Sequence, residues 1–276
     1  MGLILILFGG ISLTACKKTK KKLEKKELQL VAERRCDSKH IHYNLAIPDA
    51  GELYLLMKKM GIDTSMRKSV EKTPVKLTKA TGAVAPFIMG IALAEQTLVT
   101  SSDNMQKTLE RLNLIYKKVI EIRLLDVASQ RQIMSFLLKL KSVKKTQDFQ
   151  SFLALMRSEF LKKMDKPSHR FRSLWMLAGG IILSYHEISL IALKDKKYEK
   201  QVGDILAITT PINFLSYELG NCFAHATIKY PKLQKLVTLL KKLETVLVRQ
   251  SRKRDYGTKS FQTITSITSQ MLKDFR

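Results

Sequence analysis

The chain lacks the short motifs that mark the common classes of enzyme. Its 276 residues contain no Gly-rich phosphate loop, no G-x-S-x-G, no H-E-x-x-H and no C-x-x-C. Each of these motifs holds a nucleophile, a metal or a phosphate in a defined local geometry. Their absence excludes such sites as the basis of function. We therefore assign no catalytic residue and favour a role other than catalysis.

Cysteine is also scarce. The three cysteines, Cys16, Cys36 and Cys222, are too few for a scaffold built on disulfides. If Cys16 is modified, Cys36 and Cys222 remain either as a disulfide pair or as two isolated thiols. The types of residue that bind zinc occur at Cys36, His40, His42, Cys222 and His225. Their spacing matches no familiar zinc site, so we predict neither a metal nor another cofactor.

Acidic residues are outnumbered two to one. The chain has 24 Asp and Glu against 49 Lys and Arg, a formal net charge of +25. A surface of this sign attracts anions: acidic lipid or polysaccharide outside the cytoplasm, and nucleic acid inside it. The cationic residues are spread over the whole chain in short groups, which is typical of the solvated faces of helices.

The first sixteen residues read M-G-L-I-L-I-L-F-G-G-I-S-L-T-A-C. An apolar run that ends in small residues is typical of a secretory signal, so we predict a signal peptide at 1–15. Leu13-Thr14-Ala15-Cys16 resembles the lipobox of bacterial lipoproteins. That resemblance implies cleavage before Cys16 and a diacylglycerol on its thiol. It also implies a membrane-anchored protein that faces the periplasm.

The charges around this run leave other interpretations open. No Lys or Arg precedes it, whereas seven lysines lie between Lys17 and Lys26, an asymmetry that favours a cytoplasmic location for the downstream side. A start further upstream, an uncleaved signal-anchor and a cytosolic protein with an apolar start are the alternatives. An anchor is disfavoured because a span needs about twenty apolar residues.

The Lys-rich segment at 16–35 is predicted to be a solvated tether. Its lysines would add to the attraction of an anionic leaflet. In the lipoproteins that the chain resembles, an aspartate after the modified cysteine often signals retention in the inner membrane. Lys17 stands at that position here, which favours the outer membrane.

Residues 36–276 are predicted to form a single all-α domain. We expect an irregular bundle of roughly eight or nine helices around a central apolar helix at about 168–193. No alternating strand and no internal repeat is found. The apolar spacing predicts helices at about 49–60, 63–72, 78–100, 102–119, 133–140, 146–164, 168–193, 211–229 and 231–247, and a closing helix through Phe261 and Met271.

Three details of this prediction concern connections and breaks. Pro86 should kink the helix at 78–100, because proline removes one hydrogen bond of the helix. The polar residues at 128–132 should interrupt the chain before the helix at 133–140. Residues 194–204 and 249–257 should be a charged connection and a polar turn.

Several polar residues fall on apolar helix faces and form a candidate buried polar pocket: Glu95, His186, Glu187, Glu218 and His225. A buried carboxylate must be paired, hydrogen-bonded or neutralised. One interpretation is structural, with each acid paired to one of the many cations. The other is functional, with two or more acids and a histidine converging on a ligand or a metal.

Beyond the lipobox, the sequence has a short irregular leader, I-P-D-A-G-E-L at Ile47 to Leu53, and a helical domain containing S-L-W-M-L-A-G-G. This pattern is similar to uncharacterised all-helical lipoproteins of Gram-negative, Bacteroidetes-like bacteria. The resemblance implies an envelope protein without a defined activity. We expect a binding or structural component whose partner is anionic lipid, polysaccharide or another envelope protein. The alternative is a basic nucleic-acid-binding protein of the cytosol, suggested by R-Q-S-R-K-R at Arg249 to Arg254.

Overall fold

A computed structural model of the chain describes residues 50–62, 74–99, 105–123, 125–145, 170–224 and 231–274, with seven further positions between 148 and 159. Helices and their connections make up these residues, which include no strand. The all-α prediction is therefore confirmed. The predictions for the signal peptide, the tether, Cys16, Cys36, His40, His42, His225 and the helix at 63–72 lie outside the described residues.

Nine α-helices and three short 3-10 turns have described bounds, and the seven described positions between 148 and 159 are helical as well, within the helix predicted at 146–164. The helices are α1 (Ala50–Lys59), α2 (Ala85–Val99), α3 (Met105–Glu121), α4 (Val127–Ser142), α5 (Arg170–Lys194), α6 (Glu199–Leu206), α7 (Thr210–Ala224), α8 (Pro231–Lys253) and α9 (Thr258–Leu272). The 3-10 turns are Leu77–Lys79, Gly82–Val84 and Lys196–Tyr198.

Helix α5 is the centre of the bundle, as the sequence predicts. Helices α1, α2, α6, α7 and α9 pack against it, while α3, α4 and α8 form an outer shell. By length and composition, the segment Arg172–Lys194 is the one described helix apolar enough to cross a membrane. However, 83% of its most apolar window is buried within the protein. A helix that is apolar on all sides and covered by other helices is expected at the centre of a core.

Helices α2 and α5 cross with their backbones in direct contact. A Cβ atom on Gly90 would lie 1.8 Å from the carbonyl oxygen of Met176, and one on Gly179 would lie 2.1 Å from that of Phe87. No other residue fits either position without moving a helix. Beside the crossing, the Phe87 and Trp175 rings meet edge to face at 6.1 Å. The close approach compensates for the helix stability that glycine costs.

Two tyrosines, the buried Tyr185 and the partly buried Tyr256, fix the short helix α6 to its neighbours. The Tyr185 hydroxyl donates to the carbonyl of Ile208 at 2.7 Å, and the Tyr256 hydroxyl lies 3.1 Å from the carbonyl of Leu206 and 3.2 Å from that of Leu247. The bonds to Leu206 and Ile208 satisfy carbonyls at and just after the C-terminus of α6, and the contact with Leu247 joins α6 to the interior of α8. Desolvation raises the pKa of Tyr185, and it raises the pKa of Tyr256 to about 12.

The predicted kink at Pro86 is wrong. Helix α2 begins at Ala85, and the residues before it form two 3-10 turns instead of the start of a longer helix. Pro86 is therefore the second residue of its helix, where no N–H partner is required. Proline starts this helix and does not bend it. At α1, by contrast, Gly61 is the predicted stop, with a φ of +71°.

Three boundaries also differ from the predictions. The polar residues at 128–132 belong to α4, because the Asp126 side chain accepts a hydrogen bond from the Ser129 N–H and caps the helix there. Residues 199–206 form α6 instead of a charged connection. Helix α8 extends to Lys253, so the polar turn is shorter than predicted. In each case polar side chains occupy the outer face of a helix whose inner face is apolar.

Candidate functional site

Glu95 is one of the predicted pocket residues and is buried, with 1% of its surface exposed, as is Glu187. It lies on α2, and its Oε1 accepts the backbone N–H of Val75 at 2.8 Å. Its Oε2 is 3.7 Å from Nη2 of Arg111 on α3. The same Nη2 donates to the carbonyl oxygen of Val75. The carboxylate and the guanidinium thus hold both polar groups of one buried residue.

This arrangement has a structural consequence. Residues 74–76 come before α2 and lack regular structure, so the polar groups of their backbone need partners from elsewhere. Glu95 and Arg111 supply those partners and join the segment to α2 and α3. The structural interpretation of Glu95 expects a cationic partner of this kind. Sequence reasoning did not identify Arg111, because an arginine on an amphipathic helix normally indicates a solvated face.

His186 and Glu187 are buried on successive positions of α5. His186 Nδ1 lies 3.0 Å from Oγ1 of Thr268 on α9. The Thr268 hydroxyl in turn donates to the carbonyl oxygen of Ile264 at 2.8 Å. A hydroxyl has only one hydrogen, so Nδ1 of His186 is the donor in the tautomer in which Thr268 donates to Ile264. Adjacent residues of a helix point in different directions, so Glu187 faces other neighbours.

Glu218 lies on α7 and is also buried. Helix α7 packs against α8. The hydroxyl of Ser216 on α7 donates to Oε2 of Glu244 on α8. His225 was predicted to share the Glu218 stripe, and it lies outside the described residues. The pairing of these two residues therefore stays a prediction.

The described pocket residues are distributed over three helices, with Glu95 on α2, His186 and Glu187 on α5 and Glu218 on α7. Glu95 has Val75 and Arg111 as partners, whereas the partner of His186 is Thr268 on α9. The two sets of partners come from different parts of the fold. Among the residues that the structure describes, no three His, Cys, Asp or Glu side chains form a group able to hold a metal. The ligand-pocket interpretation is left as a prediction.

The outer face of α8 carries the densest positive charge of any described helix. Its seven basic side chains are all exposed: Lys232, Lys235, Lys241, Lys242, Arg249, Arg252 and Lys253. Its one acid, Glu244, is half-buried and bonded to Ser216. Lys235 is 3.4 Å from the carboxylate of Asp274, but such an exposed pair is screened by water and salt.

A shallow groove of about 460 Å³ follows the C-terminal half of this helix. It is lined by Glu244, Thr245, Val248, Arg249, Arg252 and Lys253. Guanidinium groups suit phosphate and carboxylate because their planar N–H groups match two oxygens at once. The three cations of the groove are therefore chemically suited to an anion, beside the apolar Val248 and the bonded Glu244.

Comparison with known proteins assigns the chain to no family. No family model matches it, and neither does any curated protein or solved structure.

Proposed function

We propose that the protein is a lipid-anchored helical domain that faces the periplasm and binds an anionic component of the cell envelope. The single observation that carries the binding role is the outer face of α8, where seven exposed cations accompany one half-buried acid. A partner with closely spaced negative charges, such as an acidic polysaccharide, complements this face. Outer-membrane attachment through Cys16 is part of the proposal.

Sequence supports the anchor. The apolar run at 1–15 and the lipobox-like Leu13-Thr14-Ala15-Cys16 together suit export and acylation. A protein tethered in this way meets its partner at a high effective concentration, so weak electrostatic contacts are sufficient for binding. That condition suits a diffuse cationic face better than a deep pocket.

Mass spectrometry of the native N-terminus, combined with membrane fractionation, tests the anchor. We expect the chain to begin at an acylated Cys16 and to separate with the outer membrane. The matched control is Cys16→Ser, which should be retained as a full-length, unacylated precursor. Recovery of the wild-type chain with Met1 intact, unacylated and in the cytosol would overturn the anchor.

Binding is tested separately, with an acidic polysaccharide and with duplex DNA at several salt concentrations. We expect affinity for the polysaccharide to fall when Arg249, Arg252 and Lys253 are changed to Gln. The matched control changes Lys58, Lys59 and Lys107 to Gln, since these are exposed cations on α1 and α3. Equal effects of the two triple variants would show that net charge alone, and not the α8 face, determines binding.

Nucleic-acid binding in the cytosol is the second candidate. It is favoured by the R-Q-S-R-K-R segment, whose exposed cations lie at the end of α8. The observation in its support would be tight DNA binding with a steep salt dependence together with a cytosolic location. DNA binding by a protein found only in the outer membrane would contradict this candidate.

A further inference from the structure

Exposed apolar side chains are concentrated in one stretch of the chain. Of the eight large apolar side chains that are exposed among the described residues, six lie between 114 and 155: Leu114, Ile120, Val127, Met134, Leu138 and Leu155. Three of these six belong to the single peripheral helix α4, where Val127 is 63%, Met134 38% and Leu138 57% exposed. Contiguous exposed apolar surface often marks an interaction site.

The three side chains share one face of α4. Spacings of seven and four residues return to nearly the same side of an α-helix. Arg131 and Lys141 project from that face beside them and are exposed as well. This surface, which we call the α4 face, consists of an apolar centre with basic flanks.

A different side of α4 packs against the bundle, chiefly against α3. Ile133, Leu137 and Leu140 are buried there, and Asp126 caps the first turn. The α4 face is therefore presented by a folded, anchored helix. An apolar stripe with flanking Lys and Arg is the pattern of helices that lie in the plane of a membrane interface.

We propose that the α4 face rests on a bilayer containing anionic phospholipid, with Val127, Met134 and Leu138 among the headgroups and Arg131 and Lys141 at the phosphates. The inference rests on the proposed function for one point only, which is that a tether brings the domain to a membrane. It adds the surface by which the domain contacts the lipid and thus the orientation that the domain takes.

Charge favours an anionic bilayer over a second copy of the chain. Helix α4 carries Arg131, Lys139 and Lys141 and no Asp or Glu, and exposed lysines continue at 144 and 145. A second copy of the chain would bring the same cations against one another, which is repulsive. An anionic bilayer offers phosphates beside every point of the apolar stripe. Long basic side chains can reach those phosphates while their stems stay in contact with apolar groups.

The test places a fluorescent side chain on the α4 face of the full chain with its native N-terminus. A Leu138→Trp variant is mixed with vesicles of phosphatidylcholine alone, or with a share of phosphatidylglycerol. The native Trp175 is buried and adds a constant background. We expect a blue shift and quenching by brominated acyl chains with the anionic vesicles. The matched control is Tyr217→Trp on α7, whose native side chain is 61% exposed, and it should show neither effect.

Affinity provides the second measurement. We expect the triple change of Val127, Met134 and Leu138 to Ser to weaken binding to anionic vesicles roughly tenfold. Changing Arg131 and Lys141 to Glu should do the same and should also reduce the salt dependence. The double change of Ile208 and Tyr217 to Ser, which removes exposed apolar groups elsewhere, should leave binding within about twofold of wild type.

The two proposals fail in different ways. Vesicle binding through the acylated N-terminus without a blue shift in Leu138→Trp would overturn the α4 face and leave the anchor intact. An unacylated N-terminus with a blue shift would overturn the anchor and support the α4 face. A concentration-dependent dimer that the triple Ser variant abolishes would assign this face to a second copy and overturn the lipid assignment.

Discussion

Glu95 and Arg111, on neighbouring helices, hold the two polar groups of a single residue, Val75. Oε1 of Glu95 accepts the Val75 N–H at 2.8 Å, and Nη2 of Arg111 donates to the Val75 carbonyl. The two side chains are also 3.7 Å apart at their charged ends. This arrangement offsets the cost of burying a carboxylate in an apolar core. The carboxylate lies beside a guanidinium, and both groups bond to backbone that would otherwise lack partners.

The first prediction concerns this carboxylate. We expect Glu95→Ala to lower the free energy of unfolding by about 1 to 3 kcal/mol, since it leaves the buried Val75 N–H without its partner. Glu95→Gln keeps an oxygen at that position and should cost less. Glu110→Gln on α3, where the native side chain is exposed and accepts from Gln106, is the matched control and should change stability by less than about 0.5 kcal/mol.

Chemical denaturation of the three variants measures these differences. Metal and ligand content should be measured in the same samples. A loss of a bound metal or ligand in Glu95→Gln, without a change in stability, would contradict the structural role and support the pocket interpretation.

The second prediction concerns the crossing of α2 and α5. Gly90→Ala and Gly179→Ala should each destabilise the protein by about 3 kcal/mol or more, since the added Cβ meets backbone that has to move. Gly220→Ala on α7 is the matched control. There the new Cβ meets only the flexible side chain of Lys241, at 3.4 Å, and the higher helix propensity of alanine should stabilise the protein by up to about 1 kcal/mol.

Thermal and chemical unfolding of the three variants gives the sign and the size of each effect. Equal changes in the free energy of unfolding at all three positions would show that α2 and α5 do not cross at Gly90 and Gly179. That result would remove the basis of the central packing described above.

The third prediction is a loss of stability at high pH. Burial raises the pKa of Tyr256 to about 12, against an ordinary value of 10.0, and it raises the pKa of Tyr185 as well. Between pH 10.0 and about pH 12, the Tyr256 hydroxyl loses its proton in the unfolded chain but keeps it in the folded protein. The stabilising contribution is therefore complete below pH 10.0 and is lost as pH rises towards 12.

Denaturant unfolding at a series of pH values between these limits measures the slope of the free energy of unfolding against pH. Tyr256→Phe should be less stable at neutral pH, since it loses the bonds to Leu206 and Leu247, and its slope should be shallower than that of the wild type. Lysines titrate in the same range, so the difference between the two slopes is the quantity to compare. Identical slopes would contradict the assignment to Tyr256.

The fourth prediction concerns His186. We expect nitrogen NMR of the neutral histidine to show its proton on Nδ1, because the Thr268 hydrogen is donated to the Ile264 carbonyl. Thr268→Val should lower stability by about 1 to 3 kcal/mol. Thr268→Ser keeps the hydroxyl and should cost less. A proton on Nε2, or an equal cost for Val and Ser, would be inconsistent with the hydrogen bond.

The periodicity of apolar residues determined the fold class and the position of the central helix. Phe171 to Leu193 is apolar on all sides, and such a helix has to be covered by others, which the described residues confirm for Arg170–Lys194. Proline and glycine act through local sterics, so Gly61 and Pro211 were recognisable as a helix end and a helix start. Proline at 86 was also expected to affect the helix. Whether it bends the helix or starts it depended on where α2 begins, which is at Ala85.

Only the tertiary structure determined which residues meet. Arg111 and Glu95 are 16 positions apart on different helices, and His186 and Thr268 are 82 apart. No periodicity within one helix contains information about the partner across an interface. The same holds for the α4 face, since Val127, Met134 and Leu138 are unremarkable as residue types in a helix. These residues indicate an interaction surface only because they are exposed. Their exposure depends on which side of the helix the rest of the chain covers. Sequence determines the faces of each helix, and the packing of helices determines which face remains for a partner.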